Sequence, residues 1–147
     1  MLIKDGFVVN APVETVWAFL HDIPRLSACV PGVEEVQEIE PDVYQGRLRV
    51  KVGPLSAAFG GCVTIVERIA PELLAAQVEG EDRSSASFVK ATFNGRLTPV
   101  ETGTQLDYEM DLALRGRLAQ FGLTVVQGTA KKMTAQFAER LQEALAE

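Results

Sequence analysis

The chain has 147 residues, about one domain's worth, with 14 basic and 20 acidic side chains and a net charge of −6. A net acidic chain without a basic tail does not suit general nucleic-acid binding, because phosphate neutralisation needs clustered Lys and Arg. Apolar residues at 47% and charged residues at 23% are ordinary for a globular protein with its own core. We therefore expect one folded domain over residues 1–147 and no nucleic-acid partner.

The N-terminal segment Met1–Gly6 lacks the basic region and the long apolar core of a signal peptide. The longest charge-free stretch, 52–66, is broken by glycine and proline and falls short of the ~20 apolar residues of a spanning helix. We expect a cytoplasmic protein without a transmembrane segment. Cys29 and Cys62 belong to no CxxC motif and have no neighbouring histidine, which predicts buried free thiols rather than a disulfide or a zinc site.

The first predicted element is a strand near Leu2–Val9, followed by a helix that Asn10 and Pro12 open. Apolar residues at helical spacing give this helix one apolar face, made of Val13, Val16, Trp17 and Leu20. A second, shorter helix is predicted over Ile23–Ala28. Beyond it the chain turns at Pro31-Gly32.

From there to residue 114 the apolar period becomes two, which predicts five or six further strands. Turn sequences separate them, at Pro41-Asp42, Gly53-Pro54, Ala70–Glu72, Asp82-Arg83 and Pro99–Gly103. Short connections of this kind join antiparallel neighbours. The segments Val43–Val52 and Thr104–Leu114 alternate strictly between apolar and polar residues, so each strand has one buried and one solvated face.

Helical period returns over Leu118–Ala146, and we predict a single helix of about 40 Å there. A helix of that length can lie across a whole sheet. The sequence thus predicts an α+β domain with an antiparallel sheet of about seven strands. Two short helices follow the first strand, and the long C-terminal helix packs on the buried face of the sheet.

The predicted strands are unusually rich in small residues, which pack poorly on a pleated surface. These residues are Ala57, Ala58, Gly60, Gly61, Ala75, Ala76, Ala86, Ala91 and Gly95. In one interpretation Gly60-Gly61 forms a bulge or bend that coils the sheet. In a second, the space between sheet and helix stays partly open for an apolar ligand. A third alternative is a solid core in which methionines fill the gaps.

A cavity in that position would have a largely aromatic lining. The predicted lining residues are Tyr44, Phe59, Phe93, Tyr108, Met110, Phe121, Met133 and Phe137. The two tyrosines place hydroxyls on an otherwise apolar face, where each hydroxyl needs a hydrogen-bond partner. That partner could be a backbone carbonyl or a ligand oxygen.

Charge is segregated along the chain. Residues 112–138 contain no acidic side chain, while residues 34–42 are rich in them. The acid-free stretch holds four basic residues, Arg115, Arg117, Lys131 and Lys132. They are candidates for a membrane or partner surface, since each Lys or Arg near an anionic surface contributes ~1 kcal/mol. The alternative is an ordinary solvated helix flank.

No catalytic or metal-binding pattern is present in the sequence. His21 is the only histidine, and its neighbours form no ligand set or nucleophile arrangement. Nucleophile-elbow, phosphate-loop, zinc-protease and dinucleotide motifs are missing. Glu67, Glu79 and Glu109 fall in predicted strands, but nothing in the sequence pairs them. We therefore predict no catalytic residue and no metal ligand.

A series of short motifs follows in order between residues 2 and 142. They are Phe7–Pro12, Val16-Trp17, Leu20–Asp22, Cys29–Val33, Tyr44–Gly46, Val50–Pro54, Phe59–Gly61 and Gly116–Gly122. Together with the order of elements, they resemble the CoxG family, the G subunits of carbon monoxide dehydrogenase, within the START-like, or SRPBCC, superfamily. The resemblance implies a helix-grip fold, in which a curved sheet wraps a long helix around a hydrophobic cavity.

The resemblance also implies a non-enzymatic accessory protein encoded with molybdenum hydroxylases of the CO dehydrogenase type. Such proteins are associated with attaching that enzyme to the cytoplasmic membrane face and with binding a quinone. We therefore expect a quinone or lipid as a non-covalent ligand, a hydroxylase as partner, and a cytoplasmic or peripheral inner-membrane location. Longer members carry a membrane-interacting C-terminal tail, whereas this sequence stops at Glu147, so we expect the cavity and partner functions rather than membrane anchoring. Two alternatives are a START-like cyclase or hydrolase using the same cavity, and an assembly scaffold with a filled core.

Overall fold

A computed structural model describes residues 1–146 and contains one seven-stranded antiparallel sheet. The strands are β1 (Leu2–Val9), β2 (Val33–Glu40), β3 (Val43–Val52), β4 (Leu55–Ile69), β5 (Leu73–Asp82), β6 (Ser87–Val100) and β7 (Gly103–Arg115). The α-helices are α1 (Val13–Leu20), α2 (Ile23–Cys29) and α3 (Gly122–Leu145), with a 3-10 helix at Arg117–Phe121. The predicted α+β class, the seven strands and the long C-terminal helix are confirmed.

The strand order is β1-β7-β6-β5-β4-β3-β2. From β2 to β7 each strand pairs with the next along the chain, as short turns require. β1 instead pairs with β7, in register from Leu2 opposite Asp111 to Val9 opposite Thr104. The two short helices therefore carry the chain from one edge of the sheet to the other.

The bulge interpretation of Gly60-Gly61 is wrong. Both glycines pair without a register shift, Gly61 with Gly46 on one side and with Gly80 on the other. The irregularity in β4 lies further along, between Ile65 and Glu67. A bend of the sheet at Gly60-Gly61 stays a prediction, and Gly61 also lines the cavity described below.

The long C-terminal helix is interrupted near its predicted start. Gly116 and Gly122 have φ angles of +95° and +83°, a region that disfavours L side chains and ends a right-handed helix. The 3-10 helix between them packs Leu118 into the interior at 1% exposure, and α3 begins only at Gly122. The predicted continuous helix from Leu118 is thus two segments, with α3 about 36 Å long.

Two separate cores hold α3 on the sheet. At its C-terminal end Leu141 is fully buried among Val9, Phe19 and Leu97. At its N-terminal end Val126 joins a second cluster that is formed by Leu118, Phe59, Val52 and Ala57. Since the buried residues form two clusters rather than one, the middle of α3 stands over a part of the sheet that is not packed solid.

A buried polar cluster closes the β5–β6 turn. The Asp82 carboxylate accepts hydrogen bonds from the Ser85 hydroxyl at 2.8 Å and the Ser84 amide at 3.2 Å. Burial alone would raise the pKa of Asp82, but hydrogen bonds from Ser85, from Ser84 and from the backbone of Ala58 together outweigh it and lower the pKa. The Ser87 hydroxyl accepts the Leu118 amide at 3.2 Å and so anchors the 3-10 helix to this turn.

Candidate ligand cavity

A cavity of about 590 Å³ lies between the sheet and α3. Its floor is formed by the inward residues of β3 to β7, and α3 contributes Val126, Thr129, Ala130, Met133, Thr134 and Phe137. The volume falls within the ~300–1,000 Å³ of sites for small ligands. The interior is therefore not the solid core of the third alternative.

A row of glycines explains why the sheet leaves this space. Gly46, Gly61 and Gly80 are direct neighbours across β3, β4 and β5, and all three line the cavity. A Cβ atom at Gly61 would collide with the carbonyl oxygen of Glu79 and lie 2.7 Å from the Cα of Gly80. Only glycine fits there. Where β3, β4 and β5 carry these three glycines, the floor of the cavity is therefore backbone without side chains.

Seven of the eight predicted lining residues surround this one cavity. They are Tyr44, Phe59, Phe93, Tyr108, Met110, Met133 and Phe137. Phe121 does not line it, which corrects the prediction. The 3-10 helix places the Phe121 ring against Gly53 and beside a small surface pocket of about 220 Å³. The prediction failed because it assumed an unbroken helix through Gly122.

The Tyr108 hydroxyl has its partner within the protein. It donates to the Thr134 hydroxyl, which in turn donates to the Ala130 carbonyl at 3.0 Å. Burial raises the pKa of Tyr108 more than the bond to Thr134 lowers it. Its ring stacks on Phe93 with centroids 5.7 Å apart. The partner is thus neither of those expected from sequence, and the bond ties β7 to α3 across the cavity.

The cavity has a mouth and a closed end. At the closed end Leu118, Phe59 and Val52 are all less than 8% exposed. At the opposite end the lining side chains are partly exposed, and we call this end the mouth. Its side chains are those of Trp17, Leu20, Leu26, Val36 and Tyr44. The pKa of Tyr44 is raised by burial and by the carboxylate of Glu38, its cross-strand neighbour. The mouth therefore carries a tyrosine hydroxyl where the cavity meets solvent.

His21 ends α1 at the edge of this mouth. Its Nδ1 donates to the Trp17 carbonyl at 2.8 Å, and its Nε2 accepts from Nε of Arg68 at 2.9 Å. A terminal guanidinium nitrogen of Arg68 lies 2.7 Å from a carboxylate oxygen of Asp42. The sequence offered no signal for this chain of contacts, because His21 and Arg68 are 47 positions apart.

All four residues of the predicted basic surface are exposed, and none has a carboxylate within 4.0 Å among residues 1–146. Arg115 and Arg117 lie together at the end of β7 and the start of the 3-10 helix. Lys131 and Lys132 lie on α3, more than two turns further along. Three members of the acidic stretch 34–42 are paired with arginines of β3 and β4.

Both cysteines are free, as predicted, but only Cys29 is buried, whereas Cys62 is half-buried. No cluster of three or more metal-ligating side chains occurs in the described part of the chain. Within residues 1–146 no helix has the length and apolar character to cross a membrane.

A seven-stranded antiparallel sheet on a long C-terminal helix, with an apolar cavity between them, defines the helix-grip fold of the START-like superfamily. Within that class the chain belongs to the CoxG family, the G subunits of carbon monoxide dehydrogenase, which it matches over residues 6–146. A search of curated proteins finds no match.

Solved structures share the fold over nearly the whole chain. A conserved protein from Geobacillus kaustophilus has a TM-score of 0.91 at 25% identity, covering 99% of this chain and 95% of that one. The Zhui aromatase/cyclase from Streptomyces sp. R1128 has a TM-score of 0.72 at 14% identity, covering 99% and 93%. A protein from Chromobacterium violaceum has a TM-score of 0.72 at 16% identity, covering 99% and 98%. The last two similarities show the fold alone.

Proposed function

We propose that this protein is a non-enzymatic carrier that holds a quinone or a lipid in the cavity. In this proposal it serves a molybdenum hydroxylase of the CO dehydrogenase type as a recruitment or assembly factor at the cytoplasmic membrane face. The observation that carries the ligand part is the apolar cavity of about 590 Å³ between sheet and α3. Membership of the CoxG family supports the partner part.

The walls of the cavity favour an apolar guest. Burying ~300 Å² of ligand surface at about 25 cal/mol per Å² gives about 7.5 kcal/mol, before the costs of ordering the ligand. The polar groups that reach the interior are hydroxyls rather than charges, those of Tyr44, Tyr108, Thr129 and Thr134. Such a surface selects a largely apolar molecule with few polar atoms.

Tyr44 is the proposed contact for a carbonyl oxygen of the ligand. Both tyrosine hydroxyls have a partner in the protein, but the bond from Tyr108 to Thr134 ties β7 to α3, whereas the partner of Tyr44 is the exposed carboxylate of Glu38. A ligand oxygen can therefore replace the partner of Tyr44 without loosening α3. Tyr44 lies at the mouth, where a ring could stay near solvent while its tail fills the closed end beside Leu118. This arrangement gives the ligand one orientation.

The non-catalytic part of the proposal is supported by the directions of the charged side chains near the cavity. Arg47 and Glu79 border the cavity, but their side chains are more than half exposed and pair with Glu35 and Lys90 on the outer face. A cyclase or hydrolase needs an acid or base within hydrogen-bond reach of its substrate. We expect an extracted ligand to have the same mass before and after incubation with the protein.

For the membrane part we assign peripheral contact to the basic surface. Phe88 faces Arg115 across paired strands and is 52% exposed, as is Leu123 near the start of α3. Exposed apolar side chains beside unpaired cations suit the surface of an anionic bilayer. The partner hydroxylase is a separate proposal, to be tested by pull-down from cells that express both proteins.

The single tryptophan provides the direct test, because Trp17 lines the mouth of the cavity. Added decylubiquinone should quench Trp17 emission to saturation and raise the melting temperature. Native mass spectrometry of the protein as purified should show a bound apolar ligand. The ligand proposal fails if the purified protein carries none, quenching does not saturate and the melting temperature stays constant.

A further inference from the structure

Hydrogen bonds within the protein use the hydrogens of the hydroxyls inside the cavity. The Thr134 hydroxyl lies 3.0 Å from the carbonyl oxygen of Ala130, one turn earlier in α3. A carbonyl oxygen can only accept, so Thr134 donates its single hydrogen there. The hydrogen in the bond between Tyr108 and Thr134 must therefore come from Tyr108. Both residues line the cavity, and each hydroxyl offers a ligand lone pairs but no free hydrogen.

Thr129, the third hydroxyl of the interior, is used in the same way. It donates to the Val125 carbonyl at 3.2 Å, and its residue also lines the cavity. The backbone of the floor is paired as well, because every strand from β3 to β7 has a neighbour on both sides. Within residues 1–146, a ligand carbonyl that enters the interior therefore meets hydroxyl lone pairs and no free hydroxyl donor.

At the mouth, Tyr44 and Glu38 suit the same kind of ligand. A carboxylate can only accept, so Tyr44 donates to Glu38, its cross-strand neighbour. A ligand hydroxyl can accept from Tyr44 and donate to Glu38 at the same time. A ligand carbonyl has no hydrogen, so it binds Tyr44 only by taking the place of Glu38. The indole N–H of Trp17 is a further donor, and Trp17 too belongs to the mouth rather than the interior.

We propose that the cavity selects a ligand that donates hydrogen bonds, and that it therefore holds a reduced quinol more tightly than the corresponding oxidised quinone. A quinol carries ring hydroxyls where a quinone carries carbonyls, while the apolar parts of the two molecules are the same. One hydrogen bond to a lone pair of Tyr108 or Thr134 corresponds to roughly a tenfold difference in Kd. This inference rests on the proposed function of the cavity and names the form of the ligand that it retains.

Tighter binding of the reduced form alters the redox chemistry of the bound ligand. A quinone becomes a quinol by taking up two electrons and two protons. A tenfold preference for the quinol raises the potential of this two-electron couple by about 30 mV. In the proposed function the electrons come from the partner hydroxylase and the protons from water. The bound quinone is then easier to reduce than the free one.

Isothermal titration calorimetry under argon compares two pairs of probes. The first pair is decylubiquinol and decylubiquinone. The second is 4-octylphenol and its methyl ether 4-octylanisole, which differ in hydrogen-bond donation without any redox chemistry. In the wild type we expect the hydroxyl member of each pair to bind about tenfold more tightly.

Thr134→Val gives the sharpest test, because it frees the hydrogen of Tyr108 for a ligand. Decylubiquinone should then bind about tenfold more tightly, whereas decylubiquinol should change little. The double variant Tyr108→Phe with Thr134→Val has neither hydroxyl, so quinol affinity should fall about tenfold and quinone affinity should stay constant. Thr92→Val, an exposed position of β6, is the matched control and should bind as the wild type. Melting curves verify folding, and Thr134→Val decides alone if the double variant does not fold.

The outcomes separate this inference from the ligand proposal. Affinity ratios that are equal in the wild type, Thr134→Val and the control would overturn the inference even if quinones bind. Equal loss of affinity for both members of a pair in Thr134→Val would overturn it too, since that result shows only a structural role. A preference for 4-octylphenol that Thr134→Val reduces would support it even if neither quinone form binds, a result that refutes the quinone proposal. Binding of none of the four probes would overturn both.

Discussion

A phenylalanine placed on the cavity floor separates an open cavity from a packed core. Ala91 lies in β6, is 3% exposed and lines the cavity between its cross-strand neighbours Val78 and Leu112. Ala91→Phe directs a ring into the space that a ligand would occupy. Thr92→Phe is the matched control, because the next residue of the same strand faces solvent.

The expected magnitudes follow from the size of the ring. The substitution adds six carbons to the interior and displaces a similar number of ligand carbons, each contributing ~0.8 kcal/mol when buried. Because the ligand can shift along the cavity, we expect a loss of about 2–5 kcal/mol, or roughly 30- to 4,000-fold in Kd. The ring itself fills empty space, so the free energy of unfolding should stay constant or rise. In a solid core it would fall by about 1–3 kcal/mol.

The assay combines urea unfolding with decylubiquinone titration against Trp17 emission for both variants. We expect Ala91→Phe to fold with undiminished stability and to lose quinone binding, while Thr92→Phe binds as wild type. A clear fall in the stability of Ala91→Phe would refute the open cavity. Normal binding in a stable Ala91→Phe would show that the ligand lies elsewhere.

Three further outcomes are expected. Leu141→Ala should lower the unfolding free energy in urea by about 2–5 kcal/mol, because a fully buried side chain leaves a void in the C-terminal core. The lowered pKa of Asp82 contributes stability that is present above the ordinary carboxyl range and lost as pH falls below about 4. Asp82→Asn should therefore be less stable at pH 7, with a shallower decline in acid; an unchanged acid profile would contradict this. Lys131→Gln with Lys132→Gln should weaken sedimentation with phosphatidylglycerol vesicles about thirtyfold and leave phosphatidylcholine unaffected, at ~1 kcal/mol per cation. Equal binding by Lys90→Gln and the double variant would contradict the assigned surface.

The fold could be predicted because its local signals agree with its topology. Alternation in Val43–Val52 and Thr104–Leu114 identified strands whose observed bounds differ by at most one residue. The break at Gly122 could not be predicted, since apolar residues keep helical spacing on both sides of it. What interrupts the helix is a positive φ at one glycine, and a backbone angle has no periodic signature.

The candidate site was predictable only where side chains form its lining. Inward aromatic residues such as Phe93 and Phe137 follow from strand and helix periods and do line the cavity. Gly46 and Gly80 were missed because the row of glycines exists only once β3, β4 and β5 are in register. The contact between His21 and Arg68 was missed for the same reason, because it depends on how far β4 extends beyond β3.

The division of the core into two clusters explains how a fold of this size can keep an empty centre. Leu141 at one end and Leu118 at the other are the most deeply buried leucines, and each fixes one end of the C-terminal segment to the sheet. The middle of α3 is then held away from the sheet, and the Tyr108–Thr134 hydrogen bond connects β7 to α3 across the cavity. Since the two clusters at the ends of α3 supply the stability, the side chains along the middle of α3 can vary in size with little loss of folding free energy. The volume and shape of the cavity are thus not fixed by the need to fold.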